Sequence, residues 1–326
     1  WDRQWPIRPD VVFEGGNCAH DGVNPAVAID DLQLLTTHYR PNRRLFQEFG
    51  DTSAASALGA HLAAGIMTAR PELWPETVRG LVVHSAEWTP AMRARFEAAG
   101  SQQQKLAMLR RYGWGVPDLG RALLSASNDA PLMVEDALLP FRKDGSTIKT
   151  RDMHLHQLPW PREELLALGE QDVELRVTLS YFIEPNPGER GWTRRHRYAS
   201  HSLRFAVKRS LESLSAFRQR INKAALAEES GEARGSGGGD GWLLGTIRDR
   251  GSIHSDIWRG SAAALAERDA IGVFPISGWW KEKPGLQRWD RSVRYSLLIS
   301  IRAPAAETDI YTAIANQIAV AVPISS

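Results

Sequence analysis

Ser53 lies in the run Gly50-Asp51-Thr52-Ser53-Ala54-Ala55-Ser56, and a stretch rich in alanine, glycine and leucine follows it directly. A serine at the start of a small-residue helix can present its hydroxyl and its backbone N–H together at the helix N-terminus. That arrangement suits acyl transfer, because the helix end favours the negative charge developing on a tetrahedral intermediate. A serine hydroxyl is nevertheless a weak nucleophile without an adjacent base. Only 52 residues precede Ser53, too little chain to hold the rest of most serine-hydrolase machinery. Ser53 reads as a nucleophile without its base.

The element that must hold Ser53 is a helix. From Ala54 to Arg70 the spacing Leu58, Leu62, Ile66 among many alanines predicts a buried helix that stops before Pro71. Ahead of it, Pro9-Asp10-Val11-Val12-Phe13-Glu14-Gly15-Gly16-Asn17 is an apolar run closed by two glycines, the pattern of a strand ending in a tight turn. Residues 22–50 read as loop-rich, with breaks at Asn24-Pro25 and Arg40-Pro41. A second helix is predicted from about Pro75 to Ser85, with Val78, Leu81 and Val82 on one face and Pro75 in the first turn. Further helices are predicted near 91–112 and 117–126.

The character changes after about residue 130. Val173 to Tyr181 alternates apolar and polar residues, predicting a half-exposed strand. Similar patterns recur at 203–208, 242–248, 253–258, 271–276 and 293–302, with a helix at 211–226 between them. Strands separated by turn signals predict an antiparallel sandwich. The Gly/Ser-rich stretch from Gly231 to Gly241 reads as a flexible linker.

Length and composition bound the rest. A chain of 326 residues has room for two domains with separate cores. A formal net charge of +2 gives no global pull toward nucleic acid or membrane. One cysteine, Cys18, excludes an intrachain disulfide and fits a reducing, cytoplasmic compartment. No apolar run approaches the roughly 20 residues needed to cross a bilayer, so no membrane partner is expected. The chain starts at Trp1 rather than Met, which reads as a fragment or a processed product. Twelve tryptophans are expected mainly as core or interface anchors.

Three segments together resemble the subtilisin-like serine proteases, in that family's order. Pro9-Asp10-Val11-Val12-Phe13-Glu14-Gly15 resembles its P-x-V-x-A-P-G strand and turn. Asp51-Thr52-Ser53-Ala54-Ala55-Ser56-Ala57 resembles the nucleophile motif G-T-S-M-A-x-P. Tyr112-Gly113-Trp114-Gly115-Val116-Pro117-Asp118 resembles the closing G-x-G-x-V-(N/D)-A segment. Trp74 to Val82 falls where the family places the helix after its nucleophile helix.

The resemblance implies an α/β fold. Residues 1–130 would be the C-terminal part of a subtilisin-like three-layer catalytic domain, and residues 140–326 an accessory, mainly antiparallel β-sandwich. It implies Ser53 as nucleophile of a serine endopeptidase, with its backbone N–H in the oxyanion hole. Peptide or protein substrates would be cleaved through an acyl-enzyme. The family's chain order is Asp, His, Ser, with an oxyanion asparagine between His and Ser. The missing aspartate, histidine and asparagine would therefore precede Trp1 or be supplied by a separate chain. Similar prokaryotic intracellular members are often associated with AAA-type ATPases, which makes such an ATPase an expected partner. The sandwich would dock on the protease core or bind substrate or a partner protein.

Two departures leave an alternative open, that of a non-catalytic subtilisin-like scaffold or partner-binding module. Asp51 stands where the motif has glycine, and Ala57 where it has proline. The carboxylate of Asp51 is unfavourable beside an oxyanion unless it points away or is paired. Gly50 just before it suggests a tight turn shifted by one residue.

Other residues that could do chemistry read more plainly. His20 and His38 precede Ser53 but lack the family's spacing, and loop histidines are usually solvated. Asp10 reads as structural. His61, two turns beyond Ser53, is expected to pack inside or at an interface, and His84 to act as a cation at a helix C-terminus. His254-Ser255-Asp256 holds all three triad types consecutively, but strand neighbours point to opposite faces and cannot form a relay. His154 and His156 alternate on a possible strand and could chelate, yet spacing indicates no third ligand, so neither metal nor cofactor is expected. Gly235 to Gly239 lacks the strand, helix and Lys-Ser/Thr of a phosphate loop.

Arg190 to Tyr198 interleaves basic and aromatic residues. It could bind single-stranded nucleic acid or an acidic protein, with a solvated loop as the plainer expectation and nucleic acid not an expected partner. Trp279-Trp280-Lys281-Glu282-Lys283 and Trp289-Asp290-Arg291 read as a rim, a partner surface or packing between sheets.

Overall fold

A computed structural model of the chain describes residues 6–123, 130–186, 198–229 and 240–303. Residues 190–197 of the basic-aromatic segment and 231–239 of the glycine-rich stretch lie outside them. The chain divides into two compact units, one made of residues 8–73 and 85–123, the other of residues 1–7, 74–84 and 124–326.

The first unit opens with four short strands, β1 (Cys18–Ala19), β2 (Val27–Ala28), β3 (Leu34–Thr37) and β4 (Phe46–Phe49). They pair as two antiparallel ladders, β1 with β2 and β3 with β4, inside the stretch expected to be loop. Helix α1 (Asp51–Ala69) follows, with Arg70 as its C-cap just before Pro71. After α2 (Pro75–His84), which belongs to the second unit, come α3 (Pro90–Glu97), α4 (Gln102–Tyr112) and α5 (Leu119–Leu123). The helical stretch expected near 91–112 consists of two helices. Ser101 and Gln104 form a reciprocal capping box that starts α4 afresh, and Thr89 caps α3 through the amide of Met92.

Residues 11–15, expected as a strand, form no ladder. Their segment makes two backbone bonds with the glycine-rich closing segment: Val12 N–H donates to Gly115 O at 2.9 Å, and Trp114 N–H to Asp10 O at 2.8 Å. Both glycines there are required. Gly113 (φ +53) and Gly115 (φ +95) sit in the left-handed region, and added Cβ atoms would lie 2.3 Å from Asp10 O and 2.1 Å from Glu87 O.

The second unit is built on two antiparallel sheets. Its strands are β5 (Ala130–Leu138), β6 (Phe141–Asp144), β7 (Thr147–Thr150), β8 (His154–Gln157), β9 (Asp172–Tyr181), β10 (Ser202–Val207), β11 (Ile253–Ser261), β12 (Ala270–Ile276) and β13 (Val293–Arg302). Helices α6 (Arg162–Leu168), α7 (Leu214–Glu229), α8 (Ala262–Ala266) and α9 (Trp279–Glu282) complete it. One sheet runs β11-β9-β13-β5, the other β10-β12-β8, and β6 pairs with β7. A single buried cluster draws on both sheets, including Leu175, Val177, Leu179, Leu297 and Ile299 from the first and Leu203, Phe205, Ile271 and Val273 from the second. Mixed α/β structure with antiparallel sheets agrees with the sequence expectation at that level.

β9 departs from expectation. The alternation predicts a strand with one wet face, yet Val177 through Tyr181 are all buried. The polar face, with Thr178 and Ser180, lies under α2: the His84 ring sits 2.9 Å from both Thr178 Oγ1 and Ser300 Oγ, and Arg176 donates to Val83 O at 2.9 Å. Glu135 on β5 anchors the start of the helix by accepting from the Trp74 amide at 2.7 Å. On the other sheet, Phe217 and Ile221 of α7 pack against Ala270, Phe274 and Ile276 of β12. Small hydroxyl side chains let a helix lie close, so alternation marks two faces without telling which one meets water.

The expected strand at 242–248 is replaced by a bridge at Trp242 and a 3₁₀ turn over Gly245–Arg248. The Asp256 carboxylate accepts from the amides of Leu244 and Gly245, both at 2.9 Å, and so turns this backbone away from a ladder.

Candidate active site

Ser53 is the third residue of α1 and is solvent-exposed. The N-cap is Gly50 in extended conformation (φ −139, ψ −163), so no side chain covers the first amides of the helix. Helical geometry leaves the Thr52 and Ser53 amides without intrahelical acceptors, which is what an oxyanion site needs.

Asp51 corrects one expectation. The tight turn is not shifted to Gly50; Asp51 itself takes φ +63, in the left-handed region where its motif counterpart is glycine. Aspartate tolerates this better than most residues, at a cost of about 1–2 kcal/mol. Its side chain is exposed, and a carboxylate in the first turn suits the helix dipole.

The structure brings all three sequence-matched segments together. Asp51 N–H donates to Gly15 O at 2.6 Å, joining the start of α1 to the glycine turn, while Asp10 and Val12 bond to Trp114 and Gly115. The Gln33 side chain wedges between Gly16 and Gly50, where added Cβ atoms would fall 2.7 and 2.0 Å from its Oε1, and its Nε2 donates to Asn17 O at 2.7 Å. Gln33 is a positioning residue that no sequence signal marked, because an isolated glutamine in a loop-rich stretch looks solvated. Asp10 is structural as expected, with Arg8 as its ion-pair partner.

Among the described residues no histidine bonds to the Ser53 hydroxyl. His20 Nδ1 accepts from the Gly22 amide at 3.0 Å, and His38 Nδ1 from the Arg40 amide at 2.9 Å, so both serve their own loops. His61 is exposed rather than packed inside. So is most of α1, contrary to the expected buried helix: Ala54, Leu62 and Ile66 are buried, while Ala57, Ala60, Ala64 and Met67 face outward. Apart from Asp51 and His61, α1 has no ionisable side chain, and a helix apolar all round normally has cover on every side.

The remaining candidates are inward-facing. His84 is no helix-end cation: burial first, then the Arg176 charge, pushes its imidazole well below the usual range and keeps it neutral. In β11, His254 Nε2 lies 3.1 Å from Gly251 O, Ser255 Oγ lies 2.8 Å from Thr178 Oγ1, and Asp256 pairs with Arg248 at 2.9 Å. Asp256 is more than an ordinary strand residue, since it also holds the 3₁₀ turn. Burial pushes its carboxyl up against the opposing pull of Arg248. Trp279 and Trp280 are core: their indole N–H groups donate to Glu184 at 2.9 and 3.0 Å, which selects internal packing among the three readings of that cluster.

His154 and His156 do lie on a strand, β8, and the third group that spacing did not reveal is Asp136 on β5. Burial, then the neighbouring His154, pushes His156 down to about 4.

Residues 1–115 match the model of the subtilase family, so the segment carrying Ser53 is subtilisin-like. No curated protein matches the chain. Among the described residues no helix is long and apolar enough to cross a membrane.

Proposed function

We propose that the chain, whose first 115 residues match the subtilase family model, supplies the nucleophile of a serine endopeptidase. Ser53 would attack the scissile carbonyl, its own amide would help hold the oxyanion, and a histidine and aspartate from a preceding segment or separate chain would supply the base. The carrying observation is α1: it presents Ser53 at an uncapped, exposed N-terminus while its small apolar surface is covered along one stripe. That bare surface, with Leu35 (70% exposed), Phe46 (53%) and Met67 (56%) in the same unit, fits burial by the rest of a catalytic domain. The two-sheet unit would be an accessory β-sandwich, an AAA-type ATPase a partner, and the cytoplasm the site of action.

The test combines the chain with the segment encoded ahead of Trp1 and adds a fluorophosphonate probe. Labelling mapped to Ser53 supports the assignment. Absence of labelling, with a control subtilisin labelled in parallel, sinks it. The strained aspartate at the motif's glycine position favours one rival, a non-catalytic scaffold. Absence of D-(T/S)-G and H-G-T motifs from the encoded upstream sequence would decide for that scaffold.

A further inference from the structure

We infer that Asp136, His154 and His156 form a binding site for a divalent transition-metal ion of borderline character, with zinc as the type ion. One ligand atom from each lies within 4.8 Å of the others. The two histidines are i and i+2 on β8, so their rings share one face. Asp136 comes from β5 in the other sheet, opposite Tyr295 in the register of β5 and β13. The cluster therefore spans the two sheets of one unit.

The donors are already aimed at one another. His154 Nδ1 lies 2.8 Å from Asp136 Oδ2, and the Tyr295 hydroxyl is 2.9 Å from His154 Nδ1 and 2.8 Å from His156 Nε2. Asp136 Oδ1 is occupied by the Ala137 amide at 2.7 Å, which fixes the carboxylate and leaves Oδ2 turned to the histidines. Tetrahedral zinc with bonds of about 2.0–2.1 Å needs donors about 3.3 Å apart, so closure asks for shifts on the order of 1 Å. Two imidazoles and a carboxylate suit zinc and its neighbours rather than calcium or magnesium, which prefer all-oxygen shells. All three residues are half-buried, leaving a route for the ion and a fourth position for water or the nearby phenol.

The experiment strips the full 326-residue chain with a chelator and titrates it with Co²⁺, then Zn²⁺. One equivalent of Co²⁺ should give visible d–d absorption, which Zn²⁺ abolishes. Zinc should also raise the melting temperature, because an ion bound only by the folded state stabilises it. Asp136→Asn and His156→Gln should lose stoichiometric binding, while His20→Gln and His38→Gln keep it. No d–d band from the unaltered stripped chain overturns the site, whatever the variants do. So does binding that survives His156→Gln and Asp136→Asn but falls with the surface histidines. Labelling of Ser53 plays no part in either readout.

Discussion

Two serines in this chain have opposite settings. Ser255 stands between a histidine and an aspartate in sequence, Ser53 among alanines and a threonine, yet of the two Ser53 is the one open to solvent. Ser255 is buried, its hydroxyl bonded to Thr178, with His254 and Asp256 turned to other partners. Ser53 is exposed at a helix N-terminus whose amides have no cap. Direction and access make a nucleophile, and the three residue types in a row do not. In that dry, low-dielectric interior the bonds of Ser255 to Thr178 and of Asp256 to Arg248, Leu244 and Gly245 hold the fold.

The largest effect expected along this comparison is on reactivity. If the proposed role holds, Ser53→Ala should cut fluorophosphonate labelling or peptide hydrolysis, measured with the upstream segment added, roughly 10,000-fold or more, as loss of a covalent nucleophile does. Its unfolding free energy should stay within about 0.5 kcal/mol of the unaltered chain, since the side chain is exposed. A large stability loss would show that Ser53 is a packing residue instead.

Asp256→Ala should do the reverse. It strands the Leu244 and Gly245 amides and leaves the buried Arg248 guanidinium only Phe205 O and the more distant Asp249, costing about 3 kcal/mol in urea unfolding. Labelling of Ser53 below the lowered transition should be unchanged. A cost below about 1 kcal/mol would mean that the buried pair is dispensable.

Acidification probes the same interior. Burial pushes His201 and His254 each down to about 3, with the Arg204 charge adding to the effect at His254. The unfolded chain binds those protons near the usual imidazole value of about 6.5, and the folded chain does not until far lower pH. Stability is thus level above about pH 6.5 and falls as pH drops toward 3, by about 1 kcal/mol per unit for each histidine. Urea midpoints at pH 7 and pH 5 should show the loss, and His201→Gln should flatten the slope. A pH-independent midpoint would contradict neutral buried rings.

Two smaller changes sharpen the contrast. Ser255→Ala removes one hydrogen bond while Thr178 keeps His84, costing about 1 kcal/mol with labelling unaffected. Asp51→Gly relieves the left-handed backbone and should stabilise the chain by up to about 1 kcal/mol in urea unfolding. Destabilisation would mean that the carboxylate's place in the first helical turn outweighs the strain.

Elements with strong local signals could be read from sequence. α1 and α2 follow from apolar spacing, the proline in the first turn of α2 and the stop before Pro71; β10, β12 and β13 fall where the strand-like patterns and turn signals predicted them. Segment 242–248 could not be read, because a carboxylate arriving from β11 overrides its strand pattern. The short ladders between residues 18 and 49 were hidden by their loop-like composition. For the candidate site, motif order pointed to Ser53, but Gln33 between two glycines depends on a packing contact that leaves no periodic trace. Asp136 likewise joins His154 and His156 only when two sheets meet, 18 residues away along the chain.

From sequence alone, then, came Ser53 as the serine at the start of a helix, the candidate nucleophile, and the change from a helical to a sheet-rich half. Both rest on local rules: helix ends attract negative charge, and alternation makes strands. Tertiary structure alone decided which polar residues are sealed inside. It placed α2 over the polar face of β9, turned His254 and Asp256 inward, and left α1 uncovered along most of its surface. Burial depends on what arrives from elsewhere in the chain, and no window of neighbouring residues contains that information.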